Sequence, residues 1–459
     1  MKIKIIIIFF LFCFPPGKIL AQDGIDYFIV DSISLEGNKQ TKDHILYREL
    51  LFSEGDTIFF SDTANVFNQS EENLVNTSLF NFASIQSDTL GSITVSVTER
   101  WYIWPGVYWT IEERNFNVWL RNPTLEKVTY GLYFEHENFR GRKENLKLLF
   151  KTGYNQLAGF AFQAPYVNKS RKLGLFVVSS VSGSHAINYK ISDHEFVSVK
   201  SDTAYLFSSI RTDAGLTWRE GIHQSHKLTV GFNNLKTVSG VLSLNPSFMP
   251  AENLSMLSLN YQFRLDYRNY RSYPLKGWYF DVEFNLGGLI GISEEKMQNY
   301  FLKSSTDKYF QIVPRLYWAS GMTFLTRFDK VFYYAEMTAM GLNNDYVRGY
   351  EYYLIPSRHF LLQKNNLKLE VFKPRIFRLP WIKADKFAKV PVSLYMNLFF
   401  DYAHSWAYPG VFDEFNDQWQ YGYGIGLDLV TYYDKVFRLE YSINRFNENG
   451  VFLHFTAPI

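Results

Sequence analysis

Thiols are almost missing from this 459-residue chain. Cys13 is the only cysteine, which excludes an intramolecular disulfide and any site built from several thiolates. A long apolar run is missing too: the best stretch, residues 5–14, holds ten residues, about half of what a membrane-spanning helix needs. Neither sign of charge dominates. With 47 Lys and Arg against 45 Asp and Glu, the formal net charge of +2 argues for neither a nucleic-acid nor an acidic partner. The usual marks of an enzyme are also lacking. The nine histidines are scattered, no Gly-rich loop ends in Gly-Lys-Ser/Thr, and no Gly-x-Ser-x-Gly elbow occurs. His136-Glu137 and His194-Glu195 each begin a zinc-protease pair, but Arg140 and Ser198 stand where the second histidine is needed. The expectation is a protein that is not an enzyme and has no metal or cofactor.

What is present is alternation. From residue 257 to 267, Leu257, Leu259, Tyr261, Phe263, Leu265 and Tyr267 alternate with Ser258, Asn260, Gln262, Arg264 and Asp266, so a strand here has one apolar and one polar face. The pattern recurs at residues 128–134, 146–154, 278–286, 367–371, 394–402, 421–429 and 437–443, and residues 127–459 show no helical stretch. A soluble sandwich would bury one such face, but repetition over this length suits a closed transmembrane β-barrel with lipid outside and water inside. Aromatics make up 18% of the chain, as girdles at two membrane interfaces require. Mean hydropathy is only −0.16, because inward polar residues dilute the outward apolar ones. At roughly ten residues per strand plus turns, the length from residue 101 onward accommodates about sixteen strands. Trp101, Tyr102, Trp104, Tyr108 and Trp109 cluster where the chain would enter the membrane, with Pro105-Gly106 interrupting regular packing.

The first 22 residues resemble a secretory signal peptide: Lys2 and Lys4 precede the apolar run, and Pro15, Pro16 and Gly17 lead to Ala21. Cleavage at Ala21 or Gln22 would remove Cys13. Residues 26–100 differ in composition from the rest. An extended run over 28–35 ends at the turn Gly37-Asn38, and Thr41 can cap a helix carrying Ile45, Leu46 and Leu50. Gly55-Asp56 breaks that helix. Asp62 can cap a second one bearing Phe67, Leu74 and Leu79, and two alternating strands follow over 82–86 and 93–97. The order strand, helix, helix, strand, strand predicts one small α+β domain.

These residues carry a resemblance. The Gly37-Asn38 and Gly55-Asp56 turns, the helix end at Leu79-Phe80, and Val97-Thr98-Glu99-Arg100 resemble a single POTRA domain, and POTRA domains precede the barrels of the BamA/TamA-type superfamily of outer-membrane assembly and translocation proteins (the bacterial surface antigen family). Residues 138–142 with Leu146, Leu148 and Pro165-Tyr166 resemble that superfamily's early hairpin; Asp266, Arg268, Pro274 and Gly277 resemble its mid-barrel strand pair. Val347-Arg348-Gly349-Tyr350 matches the signature of its sixth extracellular loop, and Phe400-Asp401 the strand motif that the loop contacts. A glycine pair usual before the signature is replaced here by Gly341-Leu342.

The resemblance implies that the loop folds back into the barrel and that Arg348 pairs with Asp401, with Glu370 as a second carboxylate. Alternation independently points Asp401 and Glu370 inward and Phe400 and Tyr402 toward lipid. The resemblance further implies a Gram-negative outer-membrane location with the POTRA domain in the periplasm. The partners implied are outer-membrane lipid, unfolded outer-membrane or exported client proteins, and accessory outer-membrane lipoproteins. Three readings of function stay open: an assembly and insertion factor, a protein translocator, and a passive porin or structural barrel.

Overall fold

The computed structural model describes residues 27–455, except 89–90, 122, 383–387, 412 and 432–434. The expected leader and Cys13 lie outside the described residues. Seven elements make the small domain: β1 (Tyr27–Ile29), β2 (Ser32–Glu36), α1 (Asp43–Tyr47), β3 (Thr57–Phe59), α2 (Phe60–Asn76), β4 (Phe80–Ser87) and β5 (Ser92–Glu99). The expected first strand is thus two, because the Val30 and Asp31 amides turn away to the carbonyls of Asp56 and Gly91. The main sheet runs β2-β5-β4, with β2 parallel and β4 antiparallel to β5. Its core holds Ile45, Leu46, Leu74, Phe80, Ile93 and Val95.

Both expected helix caps fail. Lys42 and Phe59 take the cap positions without side-chain bonds. The Thr41 hydroxyl is drawn instead to Glu99 Oε1 at 2.7 Å, and Asp62 sits in the first turn of α2, where its charge still suits the helix dipole. Leu50 lies past the end of α1 but in the same core, and α2 stops at Asn76, before Leu79-Phe80.

The barrel strands begin with β6 (Ile103–Ile111), followed by a short helix α3 (Phe116–Arg121), then β7 (Val128–Phe139), β8 (Glu144–Gly153), β9 (Asn155–Ala164) and β10 (Leu173–Ser184). A hairpin outside the barrel wall, β11 (Ala186–Ser192) and β12 (Glu195–Lys200), precedes β13 (Phe207–Trp218) and β14 (Gln224–Thr237). After α4 (Ser239–Leu244), a helix where none was expected, come β15 (Asn253–Asp266), β16 (Gly277–Gly291), β17 (Asn299–Val313) and β18 (Leu316–Arg327). A long loop containing β19 (Ala339–Met340) and β20 (Ile355–Pro356) leads to β21 (His359–Arg378), β22 (Lys389–Trp406), β23 (Trp419–Thr431), β24 (Lys435–Asn444) and β25 (Asn449–His454).

Sixteen of these strands form one antiparallel sheet, from β6 through neighbours in chain order to β25. No helix among the described residues is long and apolar enough to cross a membrane. Along β22, Asn397 and Asp401 are fully buried while Leu398 and Phe400 are 52% and 47% exposed. The outward set continues through Tyr423, Ile425, Leu427, Leu439 and Tyr441. A soluble protein does not present so continuous an apolar face, and the chain forms a transmembrane barrel. Pro105 and Gly106 do not interrupt it. They pair in register with Phe134 and Tyr133, and Pro105 is tolerated because β6 is an edge strand. Tyr102, expected in an aromatic girdle, turns back into the core of the small domain.

The small domain seats directly on the barrel turns at one end. Glu49, beside α1, receives Arg219 of the β13–β14 turn through Nη1 at 2.6 Å and Nη2 at 2.8 Å. Burial alone would raise the Glu49 carboxyl, but the Arg219 charge and hydrogen bonds prevail and hold it at about 2. Since the folded value is depressed, this stabilisation is full above the unfolded pKa of about 4.3 and is lost as pH falls toward 2. Arg219→Ala removes both short bonds to the buried Glu49 carboxylate and leaves it only Arg48 at 3.8 Å and the Tyr166 hydroxyl at 3.5 Å, at a cost of up to about 3–5 kcal/mol to the docked state. Limited proteolysis at neutral pH should then cut between residues 98 and 104 faster in the variant; equal rates would remove this contact as the anchor.

The early hairpin motif has the same use. Asn138 donates to Thr41 Oγ1 at 2.8 Å, the Lys42 amide donates to the Gly141 carbonyl at 2.9 Å, and a Cβ on Gly141 would meet the Gln40 carbonyl at 2.1 Å.

Candidate functional site at the barrel seam

The residues singled out in the small domain separate into two places. Gly37, at φ +89°, brings the chain against the Val97 carbonyl, where a Cβ would stand 2.0 Å from the oxygen. Asn38 donates to Asp43 Oδ1 at 2.7 Å, and Glu99 accepts from the Gln40 and Thr41 amides at 3.0 and 2.7 Å. Gly55 and Asp56 form another turn, in which the Gly55 amide reaches the Val30 carbonyl and Asp56 Oδ2 accepts from the Ser53 amide at 2.7 Å. Two strands of the small domain have an edge at which an extended peptide could add, and of these β1 is paired with β3 on one side. β4 is a sheet edge, but its Ile85 amide is held by Glu71 Oε1 at 2.7 Å.

In the barrel, the loop between β18 and β21 enters the lumen. Val347, Arg348 and Tyr350 are buried. The Arg348 guanidinium grips Asp401 in a fork, Nε to Oδ2 at 2.7 Å and Nη2 to Oδ1 at 2.6 Å. It also reaches Asn366 Oδ1 at 2.7 Å and Glu440 Oε1 at 3.1 Å, and lies 3.9 Å over the Phe399 ring. A flat, delocalised cation with five donors fits this mixture of carboxylate, amide and π-face in a way that lysine would not. Glu440 leads on to Arg438 at 3.6 Å, which forks onto Asp428 at 2.7 and 2.9 Å.

The second carboxylate is therefore Glu440, and the expectation of Glu370 is wrong. Glu370 is buried as alternation required, but it pairs in register with Tyr395, whereas Asp401 pairs with Lys364. Six residues of strand separate Lys364 and Glu370, about 20 Å, beyond the reach of any side chain. Glu440 was legible only as one of the inward positions of residues 437–443.

The rest of the signature is positional. Gly349 has φ +95°, and its carbonyl accepts from Asn444 Nδ2 at 3.2 Å. Tyr350 donates to Gln420 Oε1 at 3.0 Å. Across the loop, Gly422 of β23 leaves the space: a Cβ there would stand 1.9 Å from the Arg348 carbonyl oxygen. Gly422→Ala should lift the loop off the wall and lower the temperature of the heat-induced gel shift of the folded barrel. An unchanged temperature would show that the loop can yield.

Beside this cluster the sheet ends. β6 and β25 are its two edges, and the ladder does not join them among the described residues. Instead Asn117 of α3 donates through Nδ2 to the Leu453 carbonyl at 3.2 Å and accepts the Leu453 amide on Oδ1 at 2.9 Å. In an antiparallel strand the N–H and C=O of one residue point to the same side, so the Asn117 carboxamide stands where a neighbouring strand would. Phe116 packs edge-on against Phe455 at 5.5 Å. Asn117→Ala leaves both groups of Leu453 without that partner, at about 1–3 kcal/mol. Faster amide exchange at Leu453 is the expected sign, and an unchanged rate would rule this latch out. Nothing in the sequence marked Asn117.

No protein-family model matches the chain, and no curated protein matches its sequence. Solved structures do. CdiB from Escherichia coli is 13% identical with a TM-score of 0.51, over 93% of this chain and 75% of that one. BamA from Haemophilus ducreyi lacking POTRA domains 1–3 is 15% identical at a TM-score of 0.48, over 94% and 84%. CdiB from Acinetobacter baumannii is 10% identical at 0.46, over 93% and 73%. At such identities the likeness to Escherichia coli CdiB speaks for the fold alone, and that fold is the sixteen-stranded transmembrane β-barrel that the alternation of the sequence pointed to.

Proposed function

We propose that this chain is an outer-membrane assembly and insertion factor, with the small domain acting as a periplasmic POTRA domain that captures extended client strands and the barrel seam templating their insertion. The observation that carries the reading is the seam. Among the described residues no ladder joins the two edge strands of the transmembrane sheet, and the last is held at Leu453 by a side chain from the short helix after the first. Unsatisfied backbone groups in lipid cost several kcal/mol each, so an edge closed by a displaceable carboxamide suits temporary occupation by a client strand. The signature loop occupies part of the lumen beside it, pinned by Arg348 to Asp401, which weighs against a passive porin. The reading requires no enzymatic activity and no nucleotide, since client folding and burial in lipid supply the driving force. Clients and outer-membrane lipid are its partners; accessory lipoproteins would be additional.

Depletion of the protein followed by outer-membrane proteomics tests this. Broad loss of barrel proteins is expected. Loss of a single exported protein would make it a translocator, and an unchanged proteome would leave a structural barrel. In the small domain, a photoreactive residue at Ser84 or Gln86 should crosslink clients by strand addition to β4, more efficiently once Glu71→Ala frees the Ile85 amide. Deleting residues 26–100 should leave a barrel that inserts but does not work; full function after that deletion would reject client capture.

A further inference from the structure

We propose that Glu351 Oε1, Glu440 Oε2 and His454 Nε2 form a binding site for one divalent transition-metal ion of the zinc class, bridging the signature loop to the last two strands of the barrel. The three atoms lie within 4.8 Å of one another, and none of them has a hydrogen-bond partner. Glu351 and Glu440 are only 2% and 1% exposed. Their convergence is built by the other half of each group. Glu351 Oε2 accepts the Gly349 amide at 2.9 Å, Glu440 Oε1 accepts Arg348 Nη1 at 3.1 Å, and His454 Nδ1 meets the Tyr346 hydroxyl at 3.1 Å. Each group is thus anchored by one atom and aims the other at a common point.

The spacing suits an ion. His454 Nε2 lies 3.6 Å from Glu351 Oε1 and 3.4 Å from Glu440 Oε2. Zinc bonds of about 2.0–2.2 Å to nitrogen and oxygen in a tetrahedron separate the donors by roughly 3.3–3.6 Å. An imidazolium would serve the site less well, because Nε2 carries one hydrogen and can satisfy one of the two carboxylates at a time. Two buried carboxylates with a neutral imidazole are instead a donor set suited to a borderline divalent cation, and the Tyr346 contact to Nδ1 is the outer-shell bond that fixes a ligating histidine. A cavity of about 380 Å³ lined by Asp345, Tyr346, Arg348, Glu440 and His454 gives access. Lys364, which also lines it, is turned to the Asn344 carbonyl at 3.0 Å.

The ion would hold β25 at His454, one residue beyond the Leu453 latch. Resting on the seam reading above, bound metal then opposes displacement of that strand by a client.

Untagged full-length protein in detergent micelles, stripped with chelator, should take up one Zn²⁺ or Co²⁺ per folded chain at micromolar concentration. Glu351→Gln and His454→Gln should each weaken binding at least tenfold, and Tyr346→Phe, which keeps all three ligands, by roughly 10–100-fold. Asp202→Asn, on an exposed loop, should leave it unchanged. The zinc-edge absorption spectrum of the unmutated protein depends on no variant's folding and should show one imidazole among oxygen donors. Less than a tenth of an ion per chain, a spectrum without imidazole, or ligand variants that fold and bind as tightly as the parent would overturn the site. Metal that binds as described without slowing client insertion would leave the site standing and remove its link to the seam.

Discussion

Arg348→Ala is expected to cost about 3–5 kcal/mol of barrel stability, a large share of the total for a folded protein. The reason is what it leaves behind. Asp401, fully buried, loses both partners of its fork, and Glu440 loses its contact at 3.1 Å. Asn366 Oδ1 and the Phe399 face lose the same cation. Arg348→Lys should recover less than half, since an ammonium restores the charge but not the planar fork. Exchanging the pair, Arg348→Asp with Asp401→Arg, should recover part of the loss through Coulomb attraction, though Asn366 and Glu440 would then face the wrong charge. Heat-modified gel mobility reports the outcome directly. If the arginine and aspartate single variants both resist heat as well as the parent, the cluster does not hold the loop.

Locking the seam should have the larger effect on function. Cysteines at Asn117 and Leu453 join the helix at the first barrel strand to the last strand, where a side chain already bridges the two. In a Cys13→Ser background these would be the only thiols. Oxidation should stop assembly and reduction should restore it, while each single cysteine variant stays active under both conditions. A quantitatively oxidised barrel that still supports outer-membrane assembly would refute lateral opening and leave the porin reading.

The sequence by itself determined the class of structure and the direction of its side chains. Period-two alternation is a local property: it placed Asp401 and Glu370 inside and Phe400 outside without any tertiary information. The irregular run around Arg348 likewise could not be a lipid-facing strand, and its match to the signature pointed it into the lumen. Alternation gives the face and says nothing of height along the barrel axis. Height depends on the register of each strand against the next, and register is set by turns and bulges such as the shifts beside Phe372.

That is why Glu440 rather than Glu370 meets Arg348, and why Glu351, Glu440 and His454, spread over some hundred residues of chain, converge on one point. The helix caps misled for a related reason. Thr41 is a good local cap, but a tertiary partner, Glu99, competes for its hydroxyl and wins. The seam and its Asn117 latch belong wholly to the tertiary structure, since only closure of sixteen strands brings residue 117 to residue 453. Local chemistry fixed which face each residue takes, and closure of the barrel decided which of them meet.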